Sequence, residues 1–226
     1  MKKYLLIIAL FISSFGFAQD VHFSQIQESP LWLNPANAGF MDGYFRAVAN
    51  YRNQWMAMGN AYQTMAISVD ASLLKTKKNK AYLGLGLFVF NDRAGVAKMG
   101  TTQGQIHINA IIKTSKKSKL GGAVYIGFNQ NSANYASLTY ANQYNGKEID
   151  NTLGSGEVVT YGSFLNTDVG AGLNYEFSSA NIDMLRDDIF SLKIGAAAHH
   201  LNQPVQKFAS GSTYKLPMGF VGNVQG

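Results

Sequence analysis

From Ala61 to Leu73 the chain alternates with a period of two. The odd positions are Ala61, Gln63, Met65, Ile67, Val69, Ala71 and Leu73, and the even ones are Tyr62, Thr64, Ala66, Ser68, Asp70 and Ser72. Successive side chains of a strand point to opposite faces, so this run predicts a strand with one apolar face and one small, polar face. The pattern returns over residues 44–53, 81–90, 101–113, 120–130, 165–177 and 190–200, and in part over 218–224. That makes seven strands and part of an eighth, joined as successive hairpins, several of them ten to thirteen residues long. Strands of soluble domains run to about 5–6 residues, whereas a tilted strand needs about 9–11 to cross a bilayer.

Charge placement agrees with a membrane. Arg or Lys on a lipid face costs roughly 2–4 kcal/mol at the bilayer centre and little in a polar lumen. The six charges inside predicted strands, Arg46, Arg52, Asp70, Asp168, Glu176 and Lys193, all fall on the polar face. A soluble β-sandwich would also turn its charges outward, but its outer face would be rich in Lys, Glu and Thr. Here that face carries Gly, Ala, Ser, Asn and aromatic residues, as suits a crowded polar lumen. The expected fold is an all-β antiparallel transmembrane barrel, its apolar face toward lipid and its polar face lining the interior. The connections at 74–80, 113–119 and 178–188 share one end. Those at 53–60, 91–100, 131–162 and 202–214 share the other, and the longest falls among these, as it does on the outer side of such barrels.

Composition adds to this. Of 226 residues only 14% are charged and 12% are aromatic, and there are 23 glycines. Few charges and many apolar residues without a long apolar run suit a barrel. Residues 1–18 read as a secretory signal peptide: Lys2 and Lys3, an apolar stretch from Leu5 to Phe11, then Gly16 and Ala18 before the cut. Residues 19–43, with Pro30 and Pro35, read as an irregular lead-in, and residues 44–226 as the barrel. Lys2 and Lys3 leave with the leader, so 17 basic residues face 13 acidic ones, a net charge of +4. Eight of the lysines crowd into two turns: Lys75, Lys77, Lys78 and Lys80, then Lys113, Lys116, Lys117 and Lys119. Such turns keep strand ends soluble, or meet an acidic periplasmic partner or anionic lipid.

Little catalytic chemistry is legible. There is no cysteine, which excludes disulfides, thiolate metal sites and cysteine nucleophiles. No P-loop, nucleophile elbow or dinucleotide fingerprint occurs. Adjacent His199 and His200 would point to opposite faces of a strand and could not share a metal. His107 reads as a polar lining group. No enzyme, cofactor or metal is expected. The lysines sit in turns and the aromatics in alternating strands, a poor match to a nucleic-acid groove. Tyr135, Tyr140 and Tyr144 in the long connection suit either a cap over the barrel or a surface for protein or glycan.

A resemblance sharpens the function. Residues 19–39 read QDVHFSQIQESPLWLNPANAG and residues 50–55 read NYRNQW. After a signal peptide, this opening resembles the PorP/SprF family of the type IX secretion and gliding machinery. The resemblance implies a non-enzymatic outer-membrane barrel that works with periplasmic ring or lipoprotein components and with secreted surface proteins or adhesins. The alternative is an outer-membrane channel for a small solute. The matching positions are Asn34, Pro35, Ala36, Tyr51, Arg52, Gln54 and Trp55, expected to be structural residues at the barrel mouth, with Trp55 in an aromatic girdle. Family members are usually longer, so these strands are expected to form part of a larger barrel.

Overall fold

The computed structural model describes residues 28–58, 62–76, 79–134, 138–150, 152–156, 163–179, 190–209 and 212–226. The expected leader, the first part of the lead-in, Lys77, Lys78 and Tyr135 lie outside them.

The strands are β1 (Phe45–Gln54), β2 (Tyr62–Leu73), β3 (Ala81–Ala94), β4 (Met99–Lys113), β5 (Ser118–Ser132), β6 (Ser163–Ser178), β7 (Ser191–His199), β8 (Val205–Ala209), β9 (Ser212–Lys215) and β10 (Gly219–Gln225). Eight form one antiparallel sheet in the order β1-β2-β3-β4-β5-β6-β7-β10, while β8 and β9 pair as a separate hairpin. The sheet is curled into a half-barrel. Among the described residues β1 and β10 are its two edges and do not pair with each other.

The alternation sorts the two faces as the sequence predicts. Leu85, Leu87, Ile106, Val124, Ile126 and Leu173 stand exposed on the convex face, while Phe88, Tyr125, His107 and Asn109 are buried on the concave one. The apolar face spans the sheet, far beyond the few hundred Å² that a soluble monomer exposes. A soluble sandwich would hide this face in its core; here it is outermost, and lipid is the solvent it fits.

Three details differ from expectation. The loop expected at 91–100 is mostly ladder: β3 continues to Ala94, β4 begins at Met99, and Gly95 turns the chain at φ +69°. Strand pairing needs only backbone groups, and polar side chains reinforce it here. Asn91 Nδ2 donates to Thr102 Oγ1 at 2.7 Å and Thr64 Oγ1 to Asp92 Oδ1 at 2.6 Å. The connection at 202–214 holds the β8–β9 hairpin. The basic turn at 113–119 is shorter than expected, because Lys113 ends β4 and Lys119 lies within β5.

The lead-in is the largest addition. Its described part forms a short helix, α1 (Pro30–Leu33), and a 3₁₀ turn, Pro35–Asn37, each started by a proline whose missing N–H would be unpaired there anyway. Both are buried against the concave face. The interior expected to be a wet lumen is filled by the chain's own N-terminal segment.

Candidate functional site: the filled concave face and its basic rim

The filling segment is seated by recesses in the sheet. A methyl group added at Gly84 would collide with the Ala38 carbonyl, and one at Gly172 with Asn34 Oδ1. At Gly86 it would fall 2.9 Å from Leu31 Cδ1, and at Gly121 2.9 Å from Phe40 Cδ2. Inward glycines therefore admit the segment. Leu31 and Ala38 pack with Ala66, Phe88 and Phe90, and Trp32 stacks on Phe90 with ring centroids 5.2 Å apart. Phe40 packs with Tyr82 and Ile111. These inward aromatics, odd in a water-filled lumen, are the walls of a core.

Polar contacts fix the segment from end to end. Asn34 is fully buried, and its Nδ2 lies 3.0–3.4 Å from four oxygens: Leu173 O, Asn174 Oδ1, Ala196 O and Asn223 Oδ1. Its Oδ1 accepts from Ala36 N at 2.9 Å, the side-chain cap that asparagine supplies to a helical turn. Asn109 Nδ2 donates to the carbonyls of Ala36 and Ala38 at 2.7 and 2.9 Å. Asp70, 1% exposed, pairs with Arg46 at 2.9 Å and accepts from Gly39 N at 2.8 Å.

Where the segment leaves the sheet, lysines hold it. Lys75 Nζ donates to the carbonyls of Met41, Asp42 and Gly43 at 2.6, 2.9 and 3.1 Å. Lys119 is 1% exposed. It reaches Glu176 at 3.1 Å and Asp42 at 3.6 Å, and sits 4.7 Å from the centre of the Phe40 ring. Lys193 meets the same Glu176 at 3.6 Å. Burying charge is costly unless it is paired, and here each buried ion has an opposite partner.

The eight predicted turn lysines thus divide. Lys119 is an interior group, since its inward position in β5 takes it off the surface. Lys75 clasps the segment, and Lys113 Nζ donates across to Thr76 O at 3.3 Å. Lys80, Lys116 and Lys117 are exposed on the rim. The motif residues divide as well. Asn34, Pro35 and Ala36 lie deep in the concavity, Asn34 against β6, β7 and β10, Pro35 against Gly172 of β6 and Ala36 bonded by Asn109 of β4. Tyr51, Arg52 and Gln54 belong to β1, and Trp55 follows it, exposed, with its ring edge-on to Tyr62 at 5.3 Å. The structure does not bring the two groups together.

His107 lines no pore: it is fully buried, its ring tilted against Tyr125 with centroids 5.4 Å apart. The expectation that His199 and His200 point apart fails because β7 stops at His199 and His200 takes φ +57°. Both rings turn inward, His199 Nδ1 3.4 Å from Tyr125 Oη and His200 Nδ1 2.9 Å from Asp168 Oδ1. Among the described residues no three His, Cys, Asp or Glu side chains converge as metal ligands.

The curled membrane sheet agrees with the barrel that the opening motif implied, while its filling by the Asn-Pro-Ala segment was not expected. Residues 15–224 match the family model described as type IX secretion system membrane protein PorP/SprF. The chain belongs to the PorP/SprF family. No curated protein and no solved structure matches it. As a PorP/SprF protein it is a membrane component of the type IX secretion system. Three residues that matter to this PorP/SprF interior, Asn109, Asn174 and Asn223, were not singled out from the sequence, and Lys119 was expected at the surface but is buried. The available signal was their inward register, read without knowing that a segment lay opposite.

Proposed function

We propose that the protein is a sealed, non-enzymatic scaffold in the outer membrane. It couples periplasmic parts of the secretion and gliding machinery to the export or surface retention of secreted proteins. The observation that carries this reading is the seated segment 29–43, which occupies the space a solute would need. The end bearing Lys80, Lys116 and Lys117 then faces the periplasm and offers cations to acidic ring or lipoprotein partners. The opposite end carries the long connection, where Tyr144, Ile149 and Leu153 stand exposed to meet a secreted protein. The motif residues act structurally: Asn34, Pro35 and Ala36 seat the segment, and Tyr51, Arg52, Gln54 and Trp55 shape the outer end of β1.

Two experiments test this together. Planar-bilayer recordings of the purified protein should be silent, and steady single-channel steps would restore the solute-channel reading. Reversing Lys80, Lys116 and Lys117 to Glu should abolish co-purification of periplasmic partners without changing folding. Unchanged partners would remove the rim from the account.

A further inference from the structure

We propose that segment 28–43 is a strut that holds the two edges of the open sheet at a fixed separation, with Asn34 as its far anchor. A closed barrel fixes its own radius through strand number and stagger. Among the described residues β1 and β10 do not pair, so no such closure sets the curvature of the described sheet. The segment reaches both edges. At β1, Asn50 Nδ2 donates to the Glu28 carbonyl at 2.9 Å and to Ser29 Oγ at 2.8 Å, and Arg46 donates to the Asn37 carbonyl at 3.0 Å. At the far side, Asn34 Nδ2 meets Asn223 Oδ1 of β10 at 3.3 Å and Ala196 O of β7 at 3.4 Å. Asn174 of β6 ties the two anchors, accepting from Asn34 at 3.0 Å and donating to Asn37 Oδ1 at 2.7 Å. One carboxamide with two hydrogens thus serves three strands, and the side chain is buried where water cannot replace it. The recess at Gly172 lets the Asn34–Pro35 turn approach so closely. Asn34 is a positioning residue: its place in the motif follows from the far edge it grips.

Hydrogen exchange on the full chain in detergent reads this directly. In Asn34→Ala, amides of β10 should exchange roughly tenfold faster, as expected for losing a buried hydrogen bond of about that worth. Amides of β1 should quicken too, although none of the bonds made by the Asn34 side chain reaches β1. The central β4–β5 pair serves as the internal reference and should not change. Asn223→Ala, a milder variant should Asn34→Ala fail to fold, should quicken β10 and residues 29–38. Faster exchange at β10 with β1 unchanged in Asn34→Ala makes Asn34 a local contact and overturns the strut. So does unchanged β10 exchange in Asn223→Ala.

Discussion

Gly84 and Gly222 show how little a residue type says without its surroundings. Both are strand glycines, but a methyl at Gly84 would strike the Ala38 carbonyl, whereas nothing lies within 4 Å of one at Gly222. Overpacking a well-filled site costs about 1–3 kcal/mol. Gly84→Ala should therefore lower the denaturation midpoint by that order and Gly222→Ala should leave it in place. Equal effects in urea titrations of the two variants would show that the segment does not press on β3. Asp70→Asn tests the clasp in the same way. It leaves Arg46 without its buried counter-ion, and breaking such a pair costs about 3–5 kcal/mol, discounted here because Arg46 is 28% exposed. The inward register of Gly84 and Asp70 was legible from alternation. That each faces backbone rather than water was not, because the opposing groups lie 31 to 46 positions earlier in the chain and follow no period.

At the scale of elements, the two lysine-rich connections look alike in sequence but do different work. Lys119 should tolerate no neutral replacement. Lys119→Met leaves Glu176 with Lys193 alone in a buried site and should destabilise by about 2–4 kcal/mol. Lys116→Met should be neutral to folding, within about 0.5 kcal/mol, as for most surface changes. Thermal melts of both variants decide this, and equal melting points would place Lys119 at the surface. Strand existence was legible from the period of two, but the division of these lysines depended on where the turn fell. Beginning β5 at Ser118 puts Lys119 one pleat inside. The long connection between β5 and β6 makes its own test. Hydrogen bonds from the Thr152 hydroxyl and backbone N–H hold the Asp150 carboxyl below its ordinary pKa. A depressed carboxylate contributes order above its unfolded pKa and loses it as pH falls through the folded one. Exchange at residues 150–153 should quicken on acidification below the usual aspartate range, and Thr152→Val, which removes the hydroxyl bond but keeps the backbone one, should weaken that dependence.

At the scale of the whole molecule, the filled interior bears on strand number. A closed eight-stranded barrel has room for little beyond its own side chains. This sheet of eight strands already encloses a helix, a 3₁₀ turn and their side chains. The two edges, β1 and β10, are therefore expected to stay apart, with the seated segment between them. The chain has no cysteine, so a pair introduced at Ala49 and Gly222 reports on this cleanly. It should fail to form a disulfide, which needs Cα atoms about 4.4–6.8 Å apart. Ready oxidation would mean direct closure.

The central claim is that one face of the sheet meets lipid and the other meets protein. Nitroxide scanning along residues 62–73 in bilayers measures it most directly, with oxygen and a polar nickel chelate as colliders. Oxygen should reach Met65, Ile67 and Val69, and neither collider should reach Ala66, Ser68 and Asp70, where the seated segment covers the strand. Nickel access at those even positions would mean a water-filled lumen and contradict it.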